Sequence, residues 1–234
     1  MSERLTIADS KKAFHSAFPH VIPPIYRRVT DELLVELHLL SHQKGFKPDV
    51  IFAIGLGKVF DTFTRGYRPA KHLESLFEAL CKSNGFDPVL IREQSGKALE
   101  EIKDHSIEEI ESWLKNNGTG APKTLKPQLE LLSAGDSHYS RLISIGMFTV
   151  LEQSIDKADK NEDDITKLII ETSGIYGFSQ NRVERDLNQY SSNLDKISQA
   201  LELMKEAVDH DRKKKLKNLS NDSNVKNPIK ENSK

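Results

Sequence analysis

Helix punctuation recurs along this chain at intervals that suit a stack of medium-length helices and little else. Pro23-Pro24, Pro48-Asp49, Asp87-Pro88 and Ser106-Ile-Glu-Glu109 each set a first-turn proline, a capping carboxylate or a capping box ahead of an apolar-periodic run. Gly45, Gly66, Asn84-Gly85 and Asn116-Asn117-Gly118 supply the matching stops. No alternating Val/Ile/Thr run is bounded by an Asn-Gly or Asp-Gly hairpin turn. The class predicted is all-α.

Read with these signals, the first long helix runs from Pro23 to Gly45, with Ile25, Val29, Leu33, Leu37 and Leu40 at helical spacing. A second starts at Pro48-Asp49 and ends near Thr64, a third covers Ala70 to Ser83, and a fourth starts at Asp87-Pro88. The capping box at Ser106 opens a fifth through Trp113, and the Gly/Pro/Thr/Lys stretch from Gly118 to Pro127 reads as a loop. Asp136 is then expected to cap a helix running through Phe148 to about Ser154. Leu142, Ile143, Ile145, Met147, Phe148, Val150 and Leu151 make it apolar on most sides, which places it at the centre of the core. A short helix follows at Asp164 to Thr172, and Asn181 with Glu184 has capping-box spacing.

The last helix differs from all of these. Val183, Leu187, Tyr190, Leu194, Ile197, Leu201, Met204 and Val208 recur at alternating steps of four and three, a heptad seam in a helix whose other positions are mostly Asn, Ser, Gln, Lys, Asp and Glu. Such a seam either lies along its own domain or pairs with a partner, and the eight residues are the candidate partner-binding set. The organisation expected is a helical globular domain over 1–178, the long coiled-coil-like heptad helix over 179–212 and a disordered basic tail over 213–234. Residues 212–234 hold eight Lys/Arg against two Asp/Glu, leaving 26 basic and 33 acidic residues in the remainder, so an acidic body carries a basic end. That end suits weak, salt-sensitive attraction to anionic surfaces. No run approaches the roughly 20 apolar residues that span a bilayer, and the start Met1-Ser-Glu-Arg has neither a secretory nor a transit-peptide pattern.

Four groups invite a chemical reading. Val50 to Lys58 joins an apolar run to Gly55-Leu56-Gly57-Lys58, as a phosphate-binding loop would. Phe52 and Val59, however, stand where a P-loop needs glycine and Ser/Thr, and Phe60 stands where a dinucleotide fingerprint needs its third glycine. The two glycines are therefore expected inside a helix, permitting close packing. His38 and His42 lie one turn apart, but Leu39 replaces the glutamate of a zinc-protease helix and no third ligand is indicated. Glu100-Glu101, Glu108-Glu109-Glu111 and Glu162-Asp163-Asp164 sit on polar helix faces or near N-termini, where carboxylates favour the helix dipole. Cys81 is the single cysteine, so no internal disulfide forms and a reducing compartment fits. No Gly-x-Ser-x-Gly elbow is present. No catalytic, metal or cofactor-binding residue is predicted.

Three stretches, IYRRVTDELLVELHLL (25–40), VFDTFTRGYRP (59–69) and LFEALCKSNGFDP (76–88), together resemble the thylakoid formation proteins. YSRLISIGMFTVLE (139–152) is similar to that family's central helix, and the heptad helix to its C-terminal coiled coil. The resemblance implies a non-enzymatic, all-helical factor for photosystem II biogenesis and thylakoid membrane organisation. It also implies partnership with the thylakoid FtsH-type protease and the photosystem II assembly or repair machinery. With no transit peptide, the chain looks like a cyanobacterial member, cytoplasmic and peripheral at the thylakoid membrane. His20-Val-Ile-Pro-Pro24 departs from the family pattern, so the N-terminal arm is expected to be set differently. Apart from the resemblance, the residues also suit a helical signalling or nucleic-acid-binding adaptor using the basic tail. The acidic body argues against nucleic acid.

Overall fold

A computed structural model describes residues 5–135, 137–154 and 161–225. Those residues form helices and no strands: α1 (Ile7–Ala17), α2 (Pro24–His42), α3 (Val50–Phe63), α4 (Leu73–Lys82), α5 (Pro88–Ile102), α6 (Ile107–Lys115), α7 (Lys126–Ser133), α8 (Arg141–Glu152), α9 (Glu162–Ile175) and α10 (Gln180–Val225). The fold is all-α, as the punctuation predicts. Asp49 caps α3 by accepting from the Phe52 N–H at 2.8 Å, and Asp87 caps α5 by accepting from Val89 and Leu90. Ser106 and Glu109 close the predicted capping box on α6. Gly66 and Gly85, at the ends of their helices, both have φ +79°, a left-handed conformation that side chains resist.

Several boundaries differ from those predicted. A single 3-10 turn at Ala70–His72 precedes α4, where one helix was expected from Ala70. The cap expected at Asp136 lies outside the described residues, and α8 starts later, with Ser140 Oγ accepting from the Ile143 N–H at 3.2 Å. α9 is longer than predicted because Asn161 and Asp164 form a capping box ahead of it. Asn181 lies inside α10, whose first turn bonds Arg182 and Val183 N–H to the Ser179 carbonyl. α10 also continues past 212 to Val225, through the lysine-rich stretch expected to be disordered. Lysine is a good helix former, and that propensity weighs against the repulsion between neighbouring charges.

The chain divides into two compact units between Ser192 and Asn193, inside α10 and not at the expected 178/179 boundary. The first unit is built on α3 and α8. Every residue of α8 from Leu142 to Leu151 is buried, and α3 buries both faces from Val50 to Gly57. The two backbones touch at their glycines. A Cβ added at Gly55 would stand 1.8 Å from the Leu142 carbonyl oxygen, and one at Gly146 would stand 2.1 Å from the Ile51 carbonyl oxygen. In this unit Phe14, Phe18, Phe52, Phe60 and Phe77 are fully buried, each worth about 1.5–3 kcal/mol of apolar transfer.

α1 packs on α2 and α4. His20, just before the two prolines, stacks on His72 with centroids 3.9 Å apart, while Phe18 meets both rings edge-on. The N-terminal arm is thus tied to the turn ahead of α4 by aromatic faces.

Candidate partner-binding surface

The glycine pair of α3 lies at a packing contact. Beside it, Lys58 Nζ donates to Glu152 Oε2 at 2.6 Å, tying α3 to the end of α8. The lysine that would address a phosphate is committed to a carboxylate, and α3 is unbroken through Gly55 and Gly57.

His38 is buried, with its Nδ1 2.9 Å from Ser10 Oγ of α1, and burial and the neighbouring His42 hold its pKa below the ordinary value. His42 Nδ1 lies 2.9 Å from the His38 carbonyl, and the two rings are 4.3 Å apart. The Ser10–His38 contact fastens α1 to α2, while His42 bonds within α2. Among the described residues no group of three or more His, Cys, Asp or Glu is placed to hold a metal ion. Cys81 is buried, which pushes its thiol up to about 12, away from the thiolate that nucleophilic chemistry needs. Of the acidic groups, Glu109 and Asp164 serve capping boxes, Glu111 pairs with Lys115 at 2.7 Å, and Glu100 pairs with Lys103.

One open groove of about 630 Å³ lies where α2, the start of α8 and the start of α10 meet. Most of its charges are matched internally. Arg141 bonds Glu36 at 2.5 Å and stands 3.9 Å from Glu32. Tyr139 donates to Asp186 Oδ2 at 2.8 Å and accepts from Ser144 Oγ at 3.1 Å. Arg182 covers the Tyr139 ring at 4.6 Å and stands 3.9 Å from Asp186. Burial pushes the Glu36 carboxyl up, against the lowering pull of Arg141. These pairs act as a clamp between three helices, and sequence spacing gave no sign of it because its members lie up to 154 residues apart (Glu32 to Asp186).

The heptad seam is divided along α10. Val183, Leu187 and Tyr190 are buried in the first unit, where the Tyr190 ring meets Phe63 of α3 edge-on at 5.7 Å. Leu194, Ile197 and Leu201 are half-exposed. Met204 is 50% and Val208 65% exposed, large apolar side chains facing solvent on the same stripe. The eight predicted residues are therefore of two kinds: three complete the core of the body, and the last ones offer apolar surface. A single stripe along a helix cannot separate the two kinds by sequence, because burial depends on what the helix meets.

Residues 6–218 match the family described as thylakoid formation protein. Protein Thf1 of Prochlorococcus marinus strain MIT 9313 is 49% identical over 221 residues, covering 94% of this chain and 91% of that protein. Protein Thf1 of Parasynechococcus marenigrum strain WH8102 is 46% identical over 220 residues, covering 94% and 96%. A solved structure of Psb29 superposes with a TM-score of 0.76 at 32% identity, covering 91% of this chain and 99% of the other. A match that runs from α1 into α10, carried by relatives of nearly equal length, leaves no segment of the body to another family: the chain belongs to the thylakoid formation protein family.

Proposed function

We propose that this protein is a non-catalytic accessory factor in thylakoid membrane organisation and photosystem II biogenesis or repair, and that it works by engaging a membrane-bound FtsH-type protease. The observation that carries the reading is the division of the seam. The body anchors the start of α10 through Val183, Leu187 and Tyr190, while Met204 and Val208 stay exposed on the same stripe. What sets Met204 and Val208 apart from other exposed apolar side chains is that they continue the heptad stripe the body covers further up the helix, and such a stripe is the surface by which helices pair. The groups that could have suggested chemistry are engaged elsewhere: Lys58 in an ion pair, His38 in an interhelical contact, Cys81 in the core.

The protein acts in the cytoplasm and at the thylakoid surface. Its attachment there is read as peripheral, in keeping with the family resemblance; among the described residues no helix is long and apolar enough to cross a membrane. The test is a tagged pull-down from cyanobacterial thylakoid membranes, comparing the full chain with Met204→Gln/Val208→Gln. The protease subunits are expected with the parent chain and lost with the variant, which keeps helix-forming residues at both positions. Equal recovery of the protease by both proteins overturns the seam as its binding surface.

A further inference from the structure

The exposed stretch of the seam also carries a charge pattern. Leu194, Leu201 and Val208 form one set of core positions, and Ile197 and Met204 the other. The positions flanking this core are then Ser198, Lys205 and Arg212 on one side and Asn193, Ala200 and Ala207 on the other. No flank carries a carboxylate. Asp195, Glu202, Glu206 and Asp209 fall at outward positions of this register and Asp211 takes the next core position, where the apolar seam ends, while Lys205 and Arg212 stand at flanking positions and are exposed.

We propose that this stretch of α10 docks an amphipathic helix of a partner protein whose own apolar seam is flanked by Glu or Asp. The proposal rests on the reading of the seam as a partner surface and specifies what kind of surface the partner presents. Flanking residues set partner choice in paired helices because they meet across the interface. A parallel self-pair would set Lys205 against Ala200 and Arg212 against Ala207, making no ion pair, and an antiparallel one would bring basic flanks together. Leu at one core position with Ile at the other is also not the combination that favours two identical strands. A lipid surface fits this stretch less well: residues 193–212 hold five Asp/Glu against two Lys and one Arg, and the basic run that suits an anionic membrane, from Arg212 to Lys215, begins only where the seam ends.

The test uses the full chain and two synthetic helical peptides about four heptads long, with Leu at both core positions. One carries Glu at all flanks and the other Lys, so each repels itself and stays available. Binding is read by fluorescence anisotropy at low salt. The Glu-flanked peptide is expected to bind roughly tenfold more tightly, with the difference shrinking at about 0.5 M salt. Lys205→Glu/Arg212→Glu is expected to reverse the preference. Parallel measurements follow self-association of the chain by sedimentation and its binding to vesicles of anionic phospholipid. Equal binding of the two peptides, a preference unmoved by the reversal, self-association through the seam, or vesicle binding without peptide binding each overturns the proposal. If Met204→Gln/Val208→Gln loses the protease while the two peptides bind alike, the seam remains a partner surface and only the charge rule falls.

Discussion

The middle of α3 and the far end of the α10 seam both present apolar side chains at helical spacing, yet they are built for opposite ends. At Gly55 the helix has given up its side chain so that its backbone can lie against α8, with room for no atom between. At Met204 and Val208 the helix keeps long or branched apolar side chains and leaves them in solvent. The first arrangement spends helix propensity on closeness, because glycine costs up to about 1 kcal/mol relative to alanine in a helix interior. The second forgoes about 1–2 kcal/mol of burial for each side chain left exposed. Stability accounts for the first and not for the second, which is why the exposed seam is where a partner is sought.

The contrast breaks most sharply at the glycines. Gly55→Ala would place a methyl carbon 1.8 Å from the Leu142 carbonyl oxygen, in a contact that only backbone movement relieves. The expected loss is about 3–5 kcal/mol in chemical denaturation, with Gly146→Ala close behind. A loss below about 1 kcal/mol at either position would mean that the two helices are not in backbone contact.

Next in size is the buried end of the seam. Leu187 is 4% exposed, so Leu187→Ala is expected to cost about 2–4 kcal/mol through lost transfer energy and the cavity left behind. A midpoint close to that of the parent would place the start of α10 outside the cooperative body.

Asp49 adds a pH dependence to the start of α3. Burial raises its carboxyl from the ordinary 3.8 to about 6, while hydrogen bonds from the Phe52 and Ile51 N–H groups pull it back down. Between those values the native state keeps a proton that the unfolded chain has released. Stability therefore falls as pH rises from about 4 to about 6, and the loss persists above. Because Asp49 is only half-buried, the change is expected to be about 1–2 kcal/mol. Asp49→Asn, which keeps a capping oxygen, should flatten that segment of the pH profile; an unchanged slope would place its origin in another group.

How much of this was legible varies with the kind of cause. Local signals were readable: Pro24, Asp49, Asp87 and Ser106 start helices where their chemistry says, and the continuous apolar face of α8 foretold its central place. α1 went unread although Thr6 and Asp9 form a capping box, because its mostly polar residues give a weak apolar stripe. α7 has no counterpart in the sequence reading: its first two residues fall at the end of the expected loop, because Pro127 reads as a breaker and is in fact accommodated in the first turn, and the rest of it carries no assignment. The clamp of Arg141, Glu36, Tyr139 and Asp186, and the carbonyls that meet Gly55 and Gly146, are tertiary facts with no local trace. The same holds for the seam, whose period was plain while its division into buried and exposed halves was not.

A smaller effect, of opposite sign, separates the two glycines of α3. At Gly57 an added Cβ would meet Arg92 Nη1 and Ser95 Oγ at 3.6 Å, ordinary contact distance. Gly57→Ala is therefore expected to stabilise by about 0.5–1 kcal/mol, the helix propensity regained. Destabilisation by more than that would show that α5 cannot yield at this point.

The smallest effect is expected at the exposed end of the seam, and it bears most directly on function. Met204→Gln/Val208→Gln removes two apolar side chains that already face solvent and substitutes a residue that forms helices well. The unfolding free energy should stay within about 0.5 kcal/mol of the parent, as for surface changes generally, and helical content by circular dichroism should be unchanged. The comparison with Leu187→Ala is the point: one stripe, one helix, and an expected difference of at least about 1.5 kcal/mol between its two ends. Met204 and Val208 would be core residues if the double variant instead lost as much stability as Leu187→Ala. Any loss of partner binding would then be a consequence of unfolding. Unchanged stability together with lost protease recovery would assign these two side chains to recognition, because the same change would have removed an interaction without removing any fold.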